Sequence, residues 1–534
     1  MEAMESPFID PATTNNAQLA FLTAVYGVVL YQASNLIAGG SEMLQLVPPI
    51  AGIVGSIVLP ILGAVPDGMM VLFSGVGPKA QETVAVGIGA LAGSTVMLLT
   101  IPWVICIYYG RVPIGKSGKP DWSQKDKASL CGSGISFQDS IPKNAKLMLA
   151  TTLLYFVIQV PSSWEEASGA DTRRQAKGET GVAFWGLVAC CVAFCGYLVH
   201  CFLDANEDKQ LAEVIKGIEK KQISIGAALE FIQATSGSTP DDKEVGLMAD
   251  SPDPASMTRL KKICHPFFKR YDYDKDQVLS QAELKPLLHD LGYYPNDRTV
   301  ADLLKGSDTN GDGQVNFNEF VQYLYTFMLD TDRMKQAPNF SNPQLLKTKG
   351  GDDDEDEGEE MPEDLQHLSP PQQMMRVIVR SAWMMALGTF LILLFSDPMV
   401  DCLSEWGARL NVSPFYVSFV LAPFASNASE LLAAYTYAVK KTERNMTTAL
   451  STLIGAACMN NTFVLGIFLA IVYQQQLAWQ FTAEVIAMVL IQWIIGICAI
   501  CRRTQTMVTA VIILLCYPGC LAVVWLLKNY GGLD

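Results

Sequence analysis

Ten runs of apolar residues, each about as long as a bilayer is thick, leave this chain few folds to choose from. In hydrocarbon every backbone N–H and C=O must be satisfied within its own segment, so such runs cross as helices. They fall near residues 18–39, 48–75, 83–109, 146–164 and 181–203, and again near 375–400, 412–438, 446–473, 481–501 and 505–527. A hydrophilic stretch, 204–374, separates the two sets. Composition agrees, with 50% of residues hydrophobic and 17% charged. That excludes a soluble enzyme, and no catalytic constellation is evident. Because each half has five spans, the second half enters the bilayer upside down relative to the first. Inverted repeats of this kind build secondary transporters. The expected fold is therefore an all-α polytopic membrane protein of ten transmembrane helices, arranged as two inverted five-helix repeats around a hydrophilic insert.

Charge sets the expected orientation. Arg111, Lys116, Lys119, Lys125, Lys127, Lys143 and Lys146 follow the third span, Lys440, Lys441 and Arg444 the seventh, and Arg502 and Arg503 the ninth. The positive-inside rule makes that side cytosolic, which places the insert in the cytosol and both termini outside it. Residues 165–180 dissent mildly, since Arg173, Arg174 and Lys177 are accompanied by Glu165, Glu166, Asp171 and Glu179. The sequon Asn411-Val412-Ser413 lies on the non-cytosolic side. The first 18 residues hold no Lys or Arg, so no cleavable leader is expected. The net charge of −15 misleads as an average, because acids crowd into 352–360. The thirteen cysteines sit mostly in apolar runs and read as small hydrophobes.

Two of the runs carry an acid where a membrane interior should hold none. Asp67 lies in Gly63-Ala64-Val65-Pro66-Asp67-Gly68, and Glu430 in Ser426-Asn427-Ala428-Ser429-Glu430. A carboxylate there costs roughly 2.5–3.5 kcal/mol on insertion scales, and is retained mainly where it binds an ion or proton. Each is followed by a helix with a small-residue motif, Gly89-Ala90-Leu91-Ala92-Gly93-Ser94-Thr95 and Ser451-Thr452-Leu453-Ile454-Gly455-Ala456-Ala457. Asp67 precedes Gly93 by 26 residues and Glu430 precedes Gly455 by 25, an internal repeat. Ser426, Asn427, Ser94, Thr95, Asn460 and Asn461 add oxygens nearby. Pro66 and Pro423 leave the carbonyls of Leu62 and Phe419 without a helical donor. Two carboxylates among hydroxyl, amide and carbonyl oxygens, with no His or Cys, describe a hard-cation site suited to Ca2+. The blander reading, acids that only cap broken helices, does not account for matched positions in a repeat. Glu484, near the start of the ninth run, reads as interfacial.

The insert carries two twelve-residue loops of EF-hand pattern. In the first, Asp272, Asp274, Asp276 and Glu283 occupy positions 1, 3, 5 and 12, with Val278 and Ser280 at 7 and 9. In the second, Asp308, Asn310, Asp312 and Glu319 do the same, with Gln314 and Asn316 at 7 and 9. Position 8 is aliphatic in both, Leu279 and Val315, which suits the short strand joining paired hands. Gln277 stands where the first loop normally has Gly, so weaker binding is expected there. Leu260, Ile263, Phe267, Phe268 and Tyr271 form an apolar stripe ahead of the first loop; Phe320, Leu324 and Phe327 follow the second. The expected organisation is a tail (1–17), a first half (18–203), a linker helix (204–259), an EF-hand pair (260–330), an acidic disordered linker (331–374) and a second half (375–534).

Val65-Pro66-Asp67, Ser426-Asn427-Ala428-Ser429-Glu430 and Gly455-Ala456-Ala457-Cys458-Met459-Asn460 resemble the repeat signatures of the cation/Ca2+ exchanger superfamily. The inserted EF-hand pair is similar to that of its plant sodium/calcium exchanger-like branch. The resemblance implies that Asp67 and Glu430 are paired acidic ligands, supported by Asn427, Ser94 and Asn460. It departs in having Asp67 where Glu is commoner, Leu98 at the third-span position matching Asn460, and Asn460 where animal exchangers place a third acid. The implied activity is export of cytosolic Ca2+ in exchange for Na+, as the resemblance suggests, or H+, as two carboxylates suggest; both stand open. Ca2+ at the EF-hands would regulate it, and vacuolar and plasma membranes both fit. A Ca2+-gated cation channel and a non-transporting membrane Ca2+ sensor are the alternatives. The implied partners are a lipid bilayer and inorganic cations, with no nucleic acid; nothing sets an oligomeric state.

Overall fold

Long apolar segments become long helices, and helices make up nearly all of what can be described. The structure is a computed structural model, and it describes residues 8–47, 54–76, 80–115, 118, 120–122, 132–167, 172–219, 254–273, 278–290, 300, 304–306, 315–322 and 370–533. The chain divides into two compact units, 1–202 with 359–534, and 203–358.

In the first unit the helices run α1 (Asn16–Gln45), α2 (Leu59–Gly63), α3 (Val65–Ser74), α4 (Ala80–Gly110), α5 (Ser140–Ala167) and α6 (Thr172–Glu219), the last extending into the other unit. After the insert come α9 (Pro370–Leu410), α10 (Pro414–Ser426), α11 (Ala428–Val439), α12 (Glu443–Met459), α13 (Leu465–Gln475), α14 (Thr482–Cys501) and α15 (Met507–Gly531). A π-turn over Val54–Val58 precedes α2, and another over Asn460–Val464 joins α12 to α13. Among the described residues, eight helical segments are long and apolar enough to cross a membrane, or up to nine if α10 and α11, bent by 58°, form one span. The second expected span, 48–75, is broken into α2 and α3, and its α3 is too short to cross alone. Its first residues, 48–53, lie outside the described residues.

Burial sorts these helices into centre and periphery. The most apolar window of α4 is 89% buried, against 22% for α6 and α9, so α4 is the central post. Its close neighbour is α10: a Cβ at Gly93 would stand 2.3 Å from the Phe419 carbonyl oxygen, and one at Gly89 2.0 Å from Ser418 Oγ. The small-residue motif therefore brings two backbones together. Between α1 and α9 a Cβ at Gly388 would lie 2.6 Å from the Ala33 carbonyl oxygen. Large apolar side chains point outward from the peripheral helices, among them Trp185 and Val192 on α6, Trp383 and Phe390 on α9, and Val508 and Leu515 on α15. Such a surface suits lipid contact.

Short strands tie the helix ends at one pole. β1 (Val112–Pro113), β2 (Ser133–Ser136) and β5 (Thr504–Thr506) form an antiparallel sheet in the order β1-β2-β5, with Gly134 opposite both Val112 and Thr506. Trp103 Nε1 donates to Gln505 Oε1 (2.7 Å) beneath it. Glu484, at the start of α14, is 1% exposed and pairs with Lys528 of α15 at 2.7 Å. Glu179 is likewise buried, accepting from the Trp479 backbone N–H (2.7 Å) and Gln175 Nε2 (3.0 Å), so this acid clamps a helix connection.

The second unit is built on α7 (Pro254–Tyr271) and α8 (Gln281–Asp290), with β3 (Val278–Leu279) between them and β4 (Val315–Asn316) beyond. The strands pair antiparallel, Leu279 against Val315, so the two loops meet at position 8. Leu260, Ile263, Phe267 and Phe268 form the core together with Leu284, Leu287, Phe320 and Val321, and Val214 and Ile218 from the last turns of α6 join them. Of the linker helix expected over 204–259, residues 204–219 continue α6 and residues 254–259 open α7; the rest lie outside the described residues. Cys264 is fully buried there, and burial pushes its thiol far above the usual range, leaving a small hydrophobe.

Candidate functional site

Both intramembrane acids stand at the same place in a broken helix. Asp67 is the third residue of α3, after Val65 and Pro66, and Glu430 is the third of α11, after Ala428 and Ser429. First-turn N–H groups lack intrahelical acceptors, and the helix dipole there favours negative charge. Breaking a span in mid-course thus produces an environment that a straight helix lacks.

Each acid faces the break of the other half. The Asp67 carboxylate is nearly fully buried and accepts from Ser94 Oγ of α4 at 2.9 Å. Ser426 and Asn427, at the α10–α11 break, and Asn460, from the π-turn, also lie near enough to act on its charge. Ser94 Oγ and Ser426 Oγ are 3.5 Å apart, and Asn427 Nδ2 donates to Ser426 Oγ (3.0 Å). Reciprocally, a Cβ placed on Gly63, at the α2–α3 break, would stand 4.0 Å from Glu430 Oε1. Glu430 Oε2 accepts from Ser429 Oγ (2.7 Å), and the carboxylate interacts through space with Asp67 and with Glu42 near the end of α1. Asn460 Nδ2 donates to Thr95 Oγ1 (3.1 Å), whose hydroxyl donates to the Leu91 carbonyl (2.8 Å).

Asp67, Ser94, Ser426, Asn427 and Asn460 therefore converge on one cluster, with Glu430 beside it and Thr95 one hydrogen bond away. Asn461 is not in it. Its amide points to Thr151 and Gln492, because successive residues of a helix point about 100° apart and only one of the pair can face the acids. The Phe419 carbonyl, expected to be free for an ion, accepts instead from Tyr517 Oη at 3.1 Å. Glu42 was missed because it follows the apolar run of the first span; an acid within the last turn of α1 is the signal that would have found it. Among the described residues no three His, Cys, Asp or Glu side chains gather into a metal-binding group. A cation in the cluster would accordingly lean on two carboxylates and several neutral oxygens.

In the second unit the position-12 acids fold back onto their own loops. Glu283 accepts from the backbone N–H of Tyr273 (3.0 Å) and from the N–H and hydroxyl of Ser280 (3.0 and 2.8 Å). Glu319 accepts from the Asn316 N–H (3.0 Å), and Asn316 Oδ1 from Asn318 and Glu319. Asp272 follows α7 directly, and Val278 opens β3. Asp274, Asp276, Asp308, Asn310, Asp312 and Gln314 lie outside the described residues. The donors that are placed fit the all-oxygen chemistry Ca2+ requires.

Two parts of the chain match known families. Residues 380–526 match the sodium/calcium exchanger protein family, and residues 262–325 the EF-hand domain pair. Sodium/calcium exchanger NCL1 of Oryza sativa subsp. japonica is 28% identical over 98% of this chain and 86% of its own length. Sodium/calcium exchanger NCL of Arabidopsis thaliana is 29% identical over 98% and 87%. The chain is thus similar to sodium/calcium exchangers over nearly its whole length. A solved structure, that of the H+/Ca2+ exchanger CAX, is 12% identical, with a TM-score of 0.48 over 95% of this chain and 84% of that one. Within the exchanger match lie Glu430, Asn427, Ser426 and Asn460, whereas Asp67 and Ser94 come from the half that precedes it.

Proposed function

We propose that this chain is a secondary active antiporter that removes Ca2+ from the cytosol in exchange for Na+ or H+. The observation that carries the reading is the reciprocal seating of Asp67 and Glu430. Each is the third residue after a helix break, and each is turned toward the break of the other half. A dehydrated divalent ion held there is balanced by the two carboxylates, with Ser94, Ser426, Asn427 and Asn460 supplying neutral oxygens. Two inverted repeats of five spans, ten in all, would let the halves rock about this point and open it alternately to either side. The second span would then be the broken α2–α3 segment with the residues ahead of it.

Two counter-ions remain in the reading for separate reasons. The relatives' names point to Na+, and two protons on two carboxylates leave the emptied site neutral. The insert would lie in the cytosol, where Ca2+ at the EF-hands biases the exchanger. Vacuolar and plasma membranes both suit such an exporter. The test is 45Ca2+ uptake into sealed vesicles under an imposed Na+ or pH gradient. Uptake driven by one gradient and collapsed by dissipating it is expected; uptake indifferent to both would mean a channel.

A further inference from the structure

Asn460 and Asn461 are adjacent, yet they serve different sides of one span, since successive helical residues point about 100° apart. Both stand in the π-turn over Asn460–Val464. Such turns are rare and are often found at functional sites. Thr462 Oγ1 donates to the Cys458 carbonyl at 2.8 Å and so occupies an acceptor at the start of the distortion. Asn461 ties the same turn to two other helices. Its Nδ2 donates to Gln492 Oε1 of α14 (2.7 Å) and to Thr151 Oγ1 of α5 (3.1 Å), while Gln492 Nε2 donates back to Asn461 Oδ1 (3.2 Å). The two amides thus exchange a pair of hydrogen bonds. Thr151 spends its own proton on the Met148 carbonyl (2.7 Å), which leaves its oxygen as an acceptor for Asn461. Asn461 and Gln492 are fully buried and Thr151 nearly so. With the paired amides closed on each other, no ligand is called for at this spot.

We infer that Gln492, with Thr151, is a positioning residue for the ion site: by holding Asn461 it sets the π-turn in the register that presents Asn460 to Thr95 and Asp67. The inference rests on the reading of Asp67 and Asn460 as ion ligands. The hydrogen bonds of Gln492 run to Asn461 and not to the acid cluster. An effect on ion affinity routed through Asn460 separates this role from a network that merely glues α5, α12 and α14 together.

The test is 45Ca2+ uptake by the full chain in proteoliposomes, measured against Ca2+ concentration. Gln492→Leu is expected to raise KM about tenfold, the effect of one buried hydrogen bond, with a smaller change in maximal rate. On an Asn460→Ala background the same substitution is expected to add less than about twofold, since effects routed through one group are not additive. Exchanging the pair, Asn461→Gln with Gln492→Asn, keeps both amides and their summed length and is expected to recover most of the loss. Thr151→Val, which preserves shape, is expected to shift KM in the same direction and serves if Gln492→Leu does not fold. An unchanged KM in both Gln492→Leu and Thr151→Val overturns the inference, as does a Gln492→Leu effect that multiplies in full with Asn460→Ala. The transport reading fails separately, if Asp67→Asn leaves uptake unaltered.

Discussion

At the scale of single residues, Asp67 carries the heaviest load. It is nearly enclosed, and Ser94 Oγ of the neighbouring α4 donates to it at 2.9 Å. Hydrogen bonds to charged groups contribute about 1.5–3 kcal/mol, so Ser94→Ala is expected to weaken apparent Ca2+ affinity by about tenfold to a hundredfold, read as KM for 45Ca2+ uptake. Thr95→Val is expected to do less, because Thr95 meets the cluster only through Asn460. The acids themselves were legible from sequence because an intramembrane carboxylate is costly whatever surrounds it. Their neighbours were legible only where helical spacing held. Asn461 escaped because adjacent helical residues point about 100° apart, so only one of the pair faces the acids, and Glu42 because it lies past the apolar run of the first span. The Glu484–Lys528 pair was not legible, because Lys528 lies a whole helix away in sequence.

At the scale of elements, the crossing of α4 over α10 decides whether the two halves meet. The site exists because Gly89 and Gly93 let the α4 backbone approach Phe415, Ser418 and Phe419. A side chain at Gly93 would strike the Phe419 backbone, which cannot step aside as a rotamer can. Gly93→Val is therefore expected to destabilise the fold by about 1–3 kcal/mol, as overpacking does, and to lower the melting temperature of the detergent-solubilised protein. A melting temperature equal to wild type would mean that α4 and α10 are less tightly apposed than described. The small-residue motif announced a close approach, but not against which helix. Pro423 likewise announced an orphan carbonyl at Phe419, and only tertiary structure shows Tyr517 satisfying it. The second span was the hardest element to read. Its apolar run is continuous in sequence, and a break at Ala64 becomes visible only once α2 and α3 are seen to be separate helices.

At the scale of the whole molecule, a bundle of membrane-length helices and an EF-hand pair share one chain. The EF-hand pairing was fully legible, since two twelve-residue patterns with aliphatic eighth positions leave little else for Leu279 and Val315 to do than pair. If the module regulates exchange, Glu283→Gln with Glu319→Gln is expected to leave uptake running while removing its dependence on Ca2+ at the insert. Full regulation retained in that double variant would assign regulation elsewhere. The central claim is that two acids from opposite halves jointly hold the transported ion. Its most direct test is 45Ca2+ uptake in sealed vesicles by Asp67→Asn and by Glu430→Gln, with protein amount and fold verified. Each substitution alone is expected to abolish gradient-driven uptake, since either leaves a divalent ion facing a single carboxylate; wild-type uptake in either variant would contradict the shared site.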